Sequence, residues 1–114
     1  MTPQQIFTTA FLGVIGQGCF SVDIHGTCQY RGPNGAKCPV GFLIDDETAT
    51  AWEGAPIWMV ARNRLPTGIA ANFGLCRSIQ AAHDTASRLG EGIPGYRRRM
   101  IKVAARYNLE VPDV

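Results

Sequence analysis

A chain of 114 residues with 46% hydrophobic and 18% charged residues has the apolar content for a packed core, and its length suits one domain over residues 1–114. That composition excludes a disordered tail, and a formal net charge of +2 is too small to imply a polyanion partner by itself. No run reaches the roughly 20 apolar residues that cross a bilayer, so no membrane partner is expected.

The opening Met1-Thr2-Pro3-Gln4-Gln5 lacks the basic region of a signal peptide, which leads us to expect a cytoplasmic protein. In that compartment Cys19, Cys28, Cys38 and Cys76 are expected to be free thiols rather than disulfides.

Taken in chain order, Thr2 as N-cap, Pro3 at the first helical position and Gln5 at the third predict a helix start. Ile6, Phe7, Ala10, Phe11, Val14 and Ile15 then recur at helical spacing up to Gly16 or Gly18. From Thr27 to Arg31 the pattern alternates, Gly32-Pro33-Asn34-Gly35 carries turn chemistry, and Lys37 to Ile44 follows, which together predict a β-hairpin.

Asp45 or Asp46 is placed to cap a short helix through Trp52, stopped by Gly54 and Pro56. Ile57 to Val60 fits strand or helix equally, and Asn63 to Gly68 reads as a loop. Leu75, Ile79, Ala82, Ala86 and Leu89 mark a helix ending at Gly90. Gly90 to Gly95 reads as a connector, and a final helix runs from about Tyr96 to Tyr107, with Asn108 as a left-handed cap. The expected fold class is therefore α+β, a small β-hairpin or sheet packed against three or four α-helices. Tyr30, Phe42, Trp52, Trp58, Leu75, Ile79, Val103 and Tyr107 are the side chains expected inside or at a partner surface. Two hairpin edges would need cover, so a homodimer through edge pairing or the first helix is a further expectation.

Four groups of residues could carry function. His25, Cys28 and Cys38 offer zinc ligands, but their spacing is not that of a zinc finger, and the two cysteines are better read as small buried residues facing each other. The expected cofactor is accordingly none, with zinc as the alternative. Cys38 as nucleophile and His83 as base would make a small cysteine-dependent enzyme. Adjacent helical residues diverge by about 100°, so Asp84 is expected to pair with Arg88 rather than orient His83.

The last helix carries Arg98, Lys102 and Arg106 on one face, opposite Tyr96, Met100, Val103 and Tyr107, which makes a nucleic-acid-binding regulator a second alternative. Arginine outnumbers lysine nine to two in the whole chain, a bias that suits recognition of carboxylate or phosphate. Arg31, at the tip of the predicted hairpin, is the fourth feature, because loop tips collect binding residues.

Within residues 28–46, Cys28, Tyr30, Arg31, Gly35, Lys37, Cys38, Gly41, Leu43, Ile44 and Asp46 follow the pattern C-x-Y-R-x-x-x-G-x-K-C-x-x-G-x-L-I-x-D. Further along, Cys76 to Asp84 stands where that pattern continues as a helix reading L-x-x-x-Q-x-x-H-D, with Gln80, His83 and Asp84 in place. In this the chain resembles a group of short, uncharacterised proteins encoded by phages and prophages, along most of its length. It departs at Phe42, where similar proteins commonly carry cysteine, which weakens a metal site built on three hairpin cysteines. The resemblance implies an accessory binding protein that inhibits a host factor, an anti-defence protein of anti-CRISPR-like or signal-sequestering kind. Its expected partner is a host protein or nucleoprotein complex, with a nucleotide ligand as a variant. The expected binding anchors are Tyr30, Arg31, Arg62, Arg64, Arg98, Lys102 and Arg106.

Overall fold

Residues 1–60 and 64–114 are described by a computed structural model. Among them the chain forms five α-helices and several short 3-10 turns, with no β-strand. The helices are α1 (Pro3–Gln17), α2 (Asp46–Trp52), α3 (Thr67–Ala71), α4 (Phe73–Arg88) and α5 (Gly92–Tyr107).

α1 begins as its sequence predicts. Thr2 Oγ1 accepts from the Gln5 N–H at 3.1 Å while Gln5 Oε1 accepts from the Thr2 N–H at 2.8 Å, so two otherwise unpaired donors are satisfied reciprocally. Its apolar stripe, Ile6, Phe7, Ala10, Phe11 and Val14, is fully buried, and Gly18 closes the helix at φ 73°. α4 and α5 form a helical hairpin joined across Leu89–Glu91, and α1 packs on both of them. Tyr96 crosses from α5 to place its hydroxyl 3.4 Å from the Ala10 carbonyl. α5 starts at Gly92, earlier than the connector reading of 90–95 allows, because Pro94 sits in the first helical turn where no amide donor is needed.

The predicted β-hairpin is absent, and with it the α+β class. The chain turns back at Asp23–Gly26 instead of at Gly32–Gly35. Asp23 Oδ1 accepts from the amides of His25 (2.8 Å) and Thr27 (2.9 Å), Gly26 takes φ 79°, and Thr27–Gln29 pairs backwards through a single Val22–Cys28 bridge. Gly32–Ala36 instead closes on itself, with Gly32 N–H to Ala36 O at 2.8 Å and Asn34 in the left-handed region at φ 60°.

Residues 37–44 cannot serve as the second ladder strand. Pro39 has no amide donor, and Cys38, Pro39, Val40 and Gly41 are buried in unbroken succession rather than alternately, so the chain coils into a 3-10 turn at Val40–Leu43. Without hairpin edges, the edge-pairing route to a homodimer also falls.

That turn lies on α1 through one close approach. A Cβ at Gly13 would fall 2.7 Å from the Phe42 ring, so glycine lets the aromatic face sit directly on the helix backbone. Asp45 caps α2 through the Thr48 N–H at 2.7 Å, and the 57–60 run resolves as a 3-10 turn at Ile57–Met59. Of the expected loop 63–68, Asn63 lies outside the described residues and Thr67 and Gly68 already belong to α3. No helix of the described chain is long and apolar enough to cross a membrane.

Gly13→Ala sets about 1–3 kcal/mol of overpacking against about 1 kcal/mol gained in helix propensity. The expected outcome in chemical denaturation is a net loss of stability, whereas the same Gly13→Ala change made in a Phe42→Ala background should be a gain relative to Phe42→Ala alone.

Candidate functional site

Gln80, His83 and Asp84 lie at i, i+3 and i+4 on the face of α4 that meets the irregular segment 19–41. His83 has no solvent exposure. Its Nε2 accepts the Ser21 backbone N–H at 3.1 Å, which places the ring proton on Nδ1, 2.9 Å from Asp84 Oδ1. Phe20 meets the imidazole edge-on with centroids 5.0 Å apart, and Tyr96 does so at 6.5 Å. Gln80 is equally fixed, for its Oε1 accepts the Val40 N–H at 3.2 Å while its Nε2 donates to Cys28 Sγ (2.8 Å) and Asp84 Oδ1 (3.1 Å).

Cys28 and Cys76 are held in the protonated form. A hydrogen bond with the Cys38 thiol, together with burial, pushes the Cys28 thiol far above its ordinary range. Burial alone pushes Cys76 up to about 11. A thiolate nucleophile needs a depressed pKa and a free base beside it, and neither condition is met at Cys28. For the expected pairing of Cys38 with His83, the lone pair a base would use already accepts the Ser21 N–H, and the thiol grouped with the imidazole and Asp84 is that of Cys28.

Cys28 Sγ, a ring nitrogen of His83 and a carboxylate oxygen of Asp84 lie within 4.8 Å of one another. A metal taken up there would have to break one of the two hydrogen bonds of His83, since both ring nitrogens are engaged. The sequence-predicted trio is redistributed. His25 is exposed on the Asp23–Gly26 turn and Cys38 is buried behind Cys28.

Two hollows open on either side of Cys28 and Asp84. One, of about 270 Å³, is walled by Tyr30, Ala55, Pro56, Ile57 and Trp58. The other, of about 420 Å³, is bordered by Val22, His25, Ser87 and Arg88. Tyr30 is mostly buried, with its hydroxyl donating to Ala55 O at 2.6 Å, so of this residue the wall uses ring surface.

Arg31 is engaged internally: it pairs with Asp46 at 2.7 Å and donates to the carbonyls of Tyr30, Gly41 and Ile44. Arg62 lies outside the described residues, and Arg64 is exposed. Arg98, Lys102 and Arg106 are exposed on α5, the last two lining a groove of about 220 Å³ against α4 together with Arg99, which is tied to Glu91 at 2.7 and 2.9 Å. The Asp84–Arg88 pair expected from the sequence is replaced by the contacts of Asp84 with His83 and Gln80. Sequence reasoning missed Ser21 and Glu53; Glu53 accepts the Tyr30 and Arg31 amides at 3.0 and 3.2 Å, and no local pattern announces either role.

No family model, curated protein or solved structure matches the chain.

Replacing His83 by Ala strands the buried Ser21 N–H and should cost roughly 2–4 kcal/mol of unfolding free energy, measured by denaturant titration. Iodoacetamide at neutral pH should modify exposed Cys19 first, with Cys28, Cys38 and Cys76 reacting only on unfolding. Labelling of Cys28 or Cys38 as fast as Cys19 would contradict a shielded thiol pair. The Cys76 thiol rises from 9.0 unfolded to about 11 folded, so its contribution to stability is complete below pH 9 and is lost as the pH climbs through 11.

Proposed function

We propose that this chain is a binding protein that occupies a host factor and blocks it by surface complementarity, the accessory inhibitor that the resemblance to phage and prophage proteins implies. The observation that carries recognition over chemistry is the state of His83. An imidazole whose acceptor nitrogen is satisfied by a buried backbone amide, beside a thiol held protonated, is a structural and orienting group.

The surface beside it has the composition of an interface centre. Trp58 is 55% and Met59 64% exposed on the 3-10 turn that borders the 270 Å³ hollow, and tryptophan is among the residues enriched at binding hot spots. Arg77 places its guanidinium 6.0 Å from the Trp58 ring centre, adding a cation of the type enriched at such centres. The host-directed, anti-defence role rests on the resemblance, and the Trp58 surface supplies the place where a target would be held.

A photoreactive benzoylphenylalanine at position 58, irradiated in host lysate, should give one discrete cross-linked species. Excess unlabelled chain should compete it away, Trp58→Ala should compete at least about tenfold less well, and a chain with Arg98 and Lys102 reversed to Glu should compete fully. The captured factor should then lose activity at one equivalent of chain. Equal competition by Trp58→Ala, or a captured factor that keeps its activity, would contradict the proposal.

A further inference from the structure

Asp84 is held by one oxygen and leaves the other open. Oδ1 accepts from His83 Nδ1 at 2.9 Å and from Gln80 Nε2 at 3.1 Å, whereas Oδ2 has no hydrogen-bond partner among the described residues and the side chain is 44% exposed. Both donors are locked from behind by buried backbone amides, those of Ser21 and Val40. The carboxylate is thus aimed by four groups that cannot easily turn, which is how a fold preorganises an acceptor for a ligand.

The hollow it borders is otherwise uncharged. Tyr30, Ala55, Pro56, Ile57 and Trp58 supply half of the lining residues, and Asp84 is the one carboxylate among them, with no arginine or lysine in the lining. Arg77 and Arg88 border the adjoining hollows, yet neither forms an ion pair with Asp84. At about 270 Å³ the space is below the roughly 300–1,000 Å³ of small-molecule sites and suits a single side chain. A partly enclosed apolar wall weakens solvent screening, which strengthens attraction between the free oxygen and a cation.

We propose that this hollow receives a guanidinium-type cation on a short apolar stem, the arginine side chain of a partner protein, with one N–H on Asp84 Oδ2 and the stem against the apolar wall. The source of the cation rests on the recognition reading of the Trp58 surface. Arginine fits better than lysine because guanidinium is weakly hydrated and stacks on aromatic rings. His83 is a positioning residue here, and Asp84 is the group that touches the ligand.

Benzamidine, a planar amidinium on an apolar ring, is the probe, and benzamide is its neutral counterpart of the same shape. In a nitrogen–proton NMR titration benzamidine should shift the Asp84 and Ile57 amides and the Trp58 indole N–H, binding at least about tenfold tighter than benzamide, which is one charge-assisted hydrogen bond's worth of discrimination. Asp84→Asn keeps an oxygen acceptor for His83 and Gln80 while removing the negative charge and the free acceptor oxygen, so the fold seen in its spectrum should be retained while benzamidine loses about tenfold. An n-butylamine arm separates ammonium from guanidinium chemistry; tighter binding of butylamine than of benzamidine overturns the arginine assignment.

Benzamide binding as well as benzamidine, or unchanged affinity in Asp84→Asn, overturns the cation site altogether. If that happens while the position-58 cross-link still forms and still competes, the recognition reading stands and only this inference falls. Loss of the cross-link with benzamidine discrimination intact does the reverse, removing the host-protein reading and leaving a cation receptor.

Discussion

Residues 18–44 run without an α-helix or a sheet, so their buried amides and carbonyls have no regular ladder and depend on side chains reaching in from elsewhere. Gln17 brackets Lys37, accepting its N–H at 3.0 Å and donating to its carbonyl at 2.6 Å. Ser21 Oγ donates to Gln29 O at 2.6 Å and approaches Ala36 O at 3.3 Å. Gln80 and His83 take the amides of Val40 and Ser21, Glu53 takes those of Tyr30 and Arg31, and Arg31 caps three carbonyls. Among the described residues no buried side-chain nitrogen or oxygen is left unpaired, so the side chains recruited to this segment are themselves satisfied.

This requirement shapes the candidate site. A histidine that must accept a buried amide cannot also accept a thiol proton, and a glutamine that must accept the Val40 N–H has a fixed direction in which to donate. Both therefore converge on Asp84 Oδ1, which leaves the carboxylate's other oxygen without a partner among the described residues, where Asp84 borders the hollow beside Trp58. The groups that hold the irregular segment to α4 are the same groups that orient the site, so the architecture sets the chemistry available there: directed hydrogen bonding to a fixed carboxylate, with the neighbouring Cys28 thiol kept protonated.

The helical half was legible because its signals are local. The Thr2–Gln5 capping box, Asp45 before α2, the stripe through Leu75, Ile79, Ala82 and Ala86, and the left-handed Asn108 each act within a few residues, and each stands as read. The segment 19–44 was misread because two turn sequences competed. Gly32-Pro33-Asn34-Gly35 has the stronger composition, but Asp23 adds two side-chain hydrogen bonds at its own turn, and Pro39 with an unbroken buried run removes the partner strand. Of the side chains expected inside or at a partner surface, Tyr30, Trp52, Leu75, Ile79 and Val103 are buried. Trp58 and Tyr107 are the aromatics left at the surface, at 55% and 36% exposure.

The His83–Asp84 contact shows where helical-wheel reasoning stops. A wheel separates Cβ directions by about 100°, yet it does not follow side chains around the helix surface. His83 points inward to Ser21, and Asp84, at the boundary of the buried face, bends its carboxylate back to the ring's Nδ1, helped by Gln80 one turn earlier. That bend has an electrostatic cause, because a buried neutral imidazole with its acceptor nitrogen engaged presents a donor N–H that needs a partner. Asp84 serves it at 2.9 Å while its own side chain stays 44% exposed to water. An exposed pairing with Arg88 would have contributed only a few tenths of a kcal/mol. Leaving the Nδ1 proton unpaired beside Phe20 and Tyr96 would cost several times more, and this difference in magnitude decides which neighbour the carboxylate takes.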